Sequence, residues 1–458
     1  MWRLHRVSLW RMGSSIHRLM VGAAAVALVA GGAVAAGARA EDDVRCLVSS
    51  AREFERARPE AVGLDTDRLN DALRFAKDRN RLNVQVFRND CLVGVGPGNE
   101  LTGGTPWNIW SSTKSVVSLL AGIAWDRGAL DLRAPIDKYL PPGLGDTGHR
   151  SITVQDLLTE ASGLRVSAFT EGITGVFPID PNSAVQALGV RQDHPPGTHF
   201  SYSQRSVDLL SYVIELAINE PLQDFAQREL FDPLGIRRSD YYWARDRSAH
   251  TYGYAHLLIP PDDFARIGLL VANEGHWGTM QVVSSDYMAM ARTPSRTNEC
   301  YGYLFWLGPG CAEIPDFLPH DTYAISGLGL QNVFIIPSLH LTVMWTGIFG
   351  NISRQGLAGA VQNQAELPYE FFRKLLAAFL HPPIPDPGPY IEPPAEVDPR
   401  GLIDTDMLLA VFGIGPDAYP GCNVFNCLNE PLAAPFSDTP PGCVIVVCLG
   451  SEAPGIRE

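Results

Sequence analysis

Strand-like and helix-like patterning occupy different parts of this 458-residue chain, and that division constrains the fold more than any one residue does. Residues 83–95 read as two short strands around Asn89-Asp90, and 328–337 and 341–347 read as strands joined by a turn. The segments in between carry helical patterning: 112–127, 152–159, 207–217, 222–230 and 262–273, with a further helix at 69–78. Gly128 suits a C-cap, Thr153 an N-cap, Pro233 with Gly235 closes one helix and Gly275 ends another. Strand-forming ends separated by helices imply an α/β fold of the α+β kind. Its antiparallel sheet would be flanked by helices, with a mostly helical subdomain inserted between the sheet-forming ends.

The first 40 residues stand apart. Arg3, Arg6, Arg11 and Arg18 precede a charge-free run from Leu19 to Ala38, and Ala38-Arg39-Ala40 is a small-x-small cleavage pattern. This reads as a signal peptide, and so as export; an uncleaved anchor is the alternative, because 20 uncharged residues could just cross a bilayer. Residues 41–381 then form the main domain, and 382–458 a proline-rich linker with a cysteine-bearing extension. No internal repeat is expected.

Eight cysteines, an even number, fit an oxidising compartment, and no zinc-type spacing is present. No metal and no cofactor is called for. Cys443-Val-Ile-Val-Val-Cys448 reads as a strand, whose ends would lie roughly 16 Å apart. The expected bridges are therefore Cys422–Cys448, Cys427–Cys443, Cys300–Cys311 and Cys46–Cys91. The net charge of −14 argues against nucleic acid as a partner, since phosphate binding needs a basic face.

The chemistry concentrates at Ser111-Ser112-Thr113-Lys114. Residues i and i+3 share a helix face, which sets a hydroxyl beside an amine. Lysine is scarce: Lys77, Lys114, Lys138 and Lys374 are the four among 36 basic residues. Arginine cannot give up its proton in a protein and lysine can, so a lysine here suits a base that activates serine. The plain structural alternative is an N-cap serine with a surface lysine. Trp107-Asn108-Ile109-Trp110 before the motif and the uncharged stretch 116–125 after it favour a buried, desolvated lysine instead.

With these residues in view, the chain resembles the serine β-lactamase and penicillin-recognising superfamily, nearest to its class C-like branch, which also holds family VIII esterases, D-aminopeptidases and 6-aminohexanoate-oligomer hydrolases. The resemblance rests on 110–124 around Ser111 and Lys114, on 152–164, on Pro196-Gly197 followed by Phe200-Ser201-Tyr202-Ser203, and on 232–235 and 261–266, in that order. It implies a β-lactamase/transpeptidase-like fold over about 59–376. By residue it implies Ser111 as nucleophile, Lys114 as base or proton relay, and Tyr202 as second base, ionised or hydrogen-bonded beside Lys114. The same likeness places substrate contacts at Gln204, Ser326, Gly327 and Leu328, with the Leu328 and Ser111 N–H groups as oxyanion hole.

Two departures stand out. The family's Tyr-x-Asn ends in Gln204 here, one methylene longer. Its Lys-Thr-Gly strand motif appears as Ile325-Ser326-Gly327, and no lysine occurs from 139 to 373. His256, His276 and His320 raise a Ser–His triad, but no G-x-S-x-G elbow is present; His320 suits a polar rim. Asp262 and Asp263 suit the positive end of a helix, and Tyr241-Tyr242-Trp243 fits a cleft lining or the core equally. The leading expectation is an exported hydrolase cleaving a small or peptide-like ester or amide through a Ser111 acyl-enzyme. A β-lactamase or D,D-peptidase is one alternative, and a catalytically inactive peptidoglycan- or protein-binding relative is another.

Overall fold

A computed structural model describes residues 44–167, 170–171, 180–348, 365–392 and 404–449. The expected leader at 1–40 and part of the proline-rich linker lie outside the described residues. Among the described residues no helix is long and apolar enough to cross a membrane.

Helix α1 (Thr66–Asp78) starts where the Asp65 carboxylate accepts the Arg68 N–H, satisfying one of the free donors of a helix start. It leads into β1 (Arg81–Arg88) and β2 (Cys91–Val95). Between them Asn89 and Asp90 both take positive φ, 51° and 64°, as a two-residue hairpin turn requires. The chain then builds β3 (Trp107–Asn108) and helix α2 (Ser112–Asp126), buried from Ser112 to Ala124. Helix α3 (Val154–Leu158) opens on a reciprocal capping box between Thr153 and Asp156. Helix α4 (Gln204–Ile218) follows. Strands β4 (Tyr242–Trp243) and β5 (Leu257–Ile259) precede α5 (Pro261–Ala272). The far end supplies β6 (Trp306–Leu307), β7 (Tyr323–Ile325), β8 (Asn332–Ile336), β9 (Leu341–Gly347) and helix α6 (Glu366–Leu376).

The two ends meet as the sequence implies. The main sheet runs β2-β1-β9-β8-β7-β6, with β1 antiparallel to β9 through Val84 opposite Trp345 and Val86 opposite Val343. Side chains alternate across it. Val84, Val86, Phe334, Ile336, Val343 and Trp345 pack with α1 and α6, while Phe87, Val333, Ile335 and Met344 face the helical core on the other side. A second sheet, β3-β5-β4, carries the segment just before Ser111.

Three expectations are corrected. Residues 328–331 turn rather than extend: Gly329 and Leu330 have φ of 72° and 62°, and the Gln331 N–H returns to the Gly327 carbonyl. Cys443–Cys448 is not a strand. Val444 and Val447 exchange N–H···O bonds across Ile445-Val446, closing a tight loop that brings the two cysteine Cα atoms to 3.9 Å. The bridges are therefore Cys422–Cys427 and Cys443–Cys448, not the crossed pairs; Cys46–Cys91 and Cys300–Cys311 pair as expected. The extension also contains a repeat that the sequence reading passed over, Pro-Gly-Cys-x4-Cys-Leu at 420–428 and again at 441–449. In both copies the leucine N–H bonds the glycine carbonyl, Leu428 to Gly421 and Leu449 to Gly442.

The second loop is tied to the body beside the nucleophile. Trp107 bridges to Val447, the Asn108 N–H donates to the Val446 carbonyl (2.9 Å), and the Cys448 N–H donates to the Pro106 carbonyl (3.0 Å).

Candidate active site

Ser111 sits at the N-cap of α2 and follows Trp110, whose φ of 49° is in the left-handed region. Such a backbone costs energy in a non-glycine residue and holds only where neighbours enforce it. Here Asn108 enforces it, because its Oδ1 accepts the Trp110 N–H at 2.8 Å while its Nδ2 donates to the Ile445 carbonyl at 2.7 Å.

One turn further on, Lys114 is 1% exposed. Its Nζ donates to Gln204 Oε1 (2.5 Å), lies 3.9 Å from Glu160 Oε1, and sits over the rings of Tyr202 (4.7 Å) and Tyr254 (5.5 Å). Burial pulls the Lys114 amine below its ordinary value; Glu160, Asp208 and Glu171 oppose that shift. Burial pushes the Glu160 carboxyl up to about 8, against Lys114 and the Ser203 N–H. Each partner is thus driven toward its neutral form, because an apolar surround penalises charge.

Tyr202 shares the wall of one cavity with Ser111, whose hydroxyl favours the ionised phenol. Its acidity differs from the sequence expectation of a phenol eased by a neighbouring cation. Burial, with Glu160 second, raises it, and the Ser111 hydroxyl only partly offsets this. Lys114, itself driven toward the free amine, does little for the phenol, and Tyr202 stays a protonated donor.

Ser326, Gly327 and Leu328 follow β7 at the opposite wall. The Gly327 N–H is held by Asn332 Oδ1 at 3.2 Å. A Cβ on Gly327 would stand 2.1 Å from the Ile109 carbonyl and 3.1 Å from Ser112 N and Oγ. The glycine therefore allows this wall to touch the nucleophile's own loop, a closer constraint than approach to a substrate. Ser326 Oγ donates to Glu313 Oε2 at 2.7 Å. Ile325, where the resembled family carries a cation, is fully buried.

These groups line one cavity of about 350 Å³: Ser111, Tyr202, Gln204, Ser326, Gly327 and Leu328 are all on its walls. Lys114 lies beneath, in contact with Gln204 and Tyr202. Sequence reasoning missed Glu160, Glu171, Glu313, Tyr254 and Trp306. Glu160 offered a signal, an acid in the apolar stretch 157–164, and it takes a φ of 53° just past α3. The others arrive from distant segments. A larger cavity, about 500 Å³, lies against the tail between Tyr242, Leu258, Phe436 and Val444, and none of the three expected catalytic residues lines it. Of the other sequence candidates, His320 and His276 are exposed, and His256 is buried against Asn108 and Tyr254. Tyr241 and Trp243 belong to the core, and Asp262 and Asp263 occupy the first turn of α5.

The Beta-lactamase family model matches residues 52–352. An uncharacterised protein of Mycobacterium tuberculosis is 25% identical over 260 residues, which cover 45% of this chain and 65% of that protein. Esterase EstB of Burkholderia gladioli is 29% identical over 224 residues, 45% of this chain and 56% of the esterase. The chain thus spans less than two thirds of the length of either relative. Among solved structures, the octameric penicillin-binding protein homologue from Pyrococcus abyssi superposes with a TM-score of 0.50 at 19% identity, over 68% of this chain and 81% of that one, a likeness of fold.

Proposed function

Because this chain belongs to the beta-lactamase family, whose relatives include an esterase, we propose that it is an exported serine hydrolase that cleaves esters or amides through an acyl-enzyme on Ser111. The observation that carries the reading is that Ser111 and Tyr202 line one cavity above a buried Lys114, which lies over the Tyr202 ring. The four disulfides among the described residues support export, since such bonds persist in oxidising compartments.

Ser111 Oγ attacks the substrate carbonyl carbon, and its proton passes to Lys114, whose burial favours the free amine. Glu160, itself pushed toward the protonated form, is placed to hold the proton that Lys114 sheds. The Ser111 and Leu328 N–H groups stabilise the oxyanion. Tyr202, held as a phenol, hands a proton to the departing alcohol or amine as the C–O or C–N bond breaks. Water then attacks the acyl carbon and gives a proton to the Tyr202 phenolate, while Lys114 returns its proton to Ser111 as the acyl–oxygen bond breaks.

The cavity does not suit a β-lactam's carboxylate. Ile325 is apolar, and the neighbouring Ser326 is engaged by Glu313. An anion there forgoes a charge-assisted bond worth about 1.5–3 kcal/mol. The test compares kcat/KM for nitrocefin with that for a neutral short-chain p-nitrophenyl ester. Ester turnover well above nitrocefin turnover supports the proposal; efficient nitrocefin hydrolysis with negligible esterase activity replaces it with an antibiotic hydrolase.

A further inference from the structure

The described lining of the Ser111 cavity includes two carboxylates, Glu171 and Glu313, and four aromatic residues, Trp110, Tyr202, Tyr254 and Trp306, with no arginine, lysine or histidine among them. Lys114 lies beneath this floor, over the Tyr202 and Tyr254 rings, and is paired on its own side with Glu160. At the opposite wall the described lining residues include no cation. There Glu313 meets a hydroxyl, Ser326, and burial raises its carboxyl above the ordinary value. A desolvated carboxylate without a cation is costly. Trp306 lies beside Tyr202 at 5.7 Å between centroids and is braced by Tyr301 at 4.8 Å, so its ring is held on the lining that it shares with Glu313. Aromatic faces combined with carboxylates are the chemistry that holds organic ammonium groups.

We propose that this cavity selects substrates carrying a positive charge, an alkylammonium group joined to the ester or amide bond cleaved at Ser111. Glu313 and Trp306 supply the recognition, and Glu171 is a second acid on the same lining. For turnover this rests on the serine hydrolase reading; for binding it does not.

The experiment uses two matched pairs that differ in charge alone. Choline is compared with the alcohol in which a tert-butyl group replaces trimethylammonium, by calorimetry on the wild-type protein. Acetylthiocholine is compared with the corresponding uncharged thioacetate by kcat/KM. The cation should be favoured by about tenfold or more in both pairs, and Glu313→Gln should bring the ratio toward one. Should that variant fail to fold, the wild-type comparison stands by itself. Equal or better binding of the neutral alcohol overturns the proposal, as does a cation preference that survives both Glu313→Gln and Glu171→Gln. Preferential choline binding with neither thioester cleaved supports the cation site while sinking the hydrolase reading. Equal cleavage of both thioesters, with choline bound no tighter, does the reverse.

Discussion

Lys114 Nζ lies 3.9 Å from Glu160 Oε1, and both side chains are shut away from solvent. Glu160 raises the Lys114 value against the larger pull of burial. Removing the carboxylate in Glu160→Gln takes that opposing influence away, so Lys114 loses its proton at lower pH. The acid limb of the kcat/KM profile should move to lower pH. The gain in free amine is measured at low pH, where the variant should outperform the wild type relative to its own plateau. An unmoved limb means that Glu160 does not govern the base.

Tyr202→Phe keeps the ring over Lys114 and deletes the phenol that shares a cavity wall with Ser111. Loss of a positioned acid–base group typically costs about 10²–10⁴ in rate, and kcat/KM for a neutral ester should fall within that range with little change in thermal stability. Wild-type turnover in the variant would remove Tyr202 from the relay.

Gly327→Ala places a methyl group 2.1 Å from the Ile109 carbonyl. Neither backbone can yield without moving the wall away from Ser111, so activity should drop together with a stability loss of roughly 1–3 kcal/mol. Thermal melts and ester kinetics on one preparation read both. A variant with normal values for each would show that the two segments have room to part.

The pH dependence of stability follows from three buried acids. Burial raises Glu160 from 4.5 to about 8, Glu171 from 4.5 to about 7 and Asp263 from 3.8 to about 7. In the unfolded chain each has lost its proton by pH 6, while the folded chain still holds it. Their favourable contribution is complete below the unfolded values and is lost as pH rises through the folded ones, at up to about 1.4 kcal/mol per group per pH unit. The lowered Lys114 value works in the opposite sense and offsets part of this. Tm should therefore be higher near pH 5.5 than near pH 7.5; a Tm that climbs over that interval contradicts these shifts.

The sequence was informative where the signal was local. The Asn89-Asp90 turn, the Thr153 cap and the helix behind Ser111 each depend on neighbours within a turn or two, and each is found in the structure. Glu313 and Trp306 reach the cavity through sheet pairing and loop packing from far along the chain, and no spacing announces that. The tail failed differently. A β-branched run between Cys443 and Cys448 outweighed the repeated Pro-Gly-Cys-x4-Cys-Leu unit, although Pro-Gly before each first cysteine already marked a turn. Glu160 was passed over although it is the one acid within residues 157–164, and its carboxylate turns inward to Lys114.

The account stands or falls on Ser111 as a nucleophile that Lys114 makes reactive. A fluorophosphonate probe followed by intact-mass and peptide analysis tests this directly. The wild-type protein should gain one label, on the peptide holding Ser111; Ser111→Ala should gain none, and Lys114→Arg, which keeps the charge but cannot serve as base, should react far more slowly. A label on another residue, or equal labelling of all three proteins, would contradict the account.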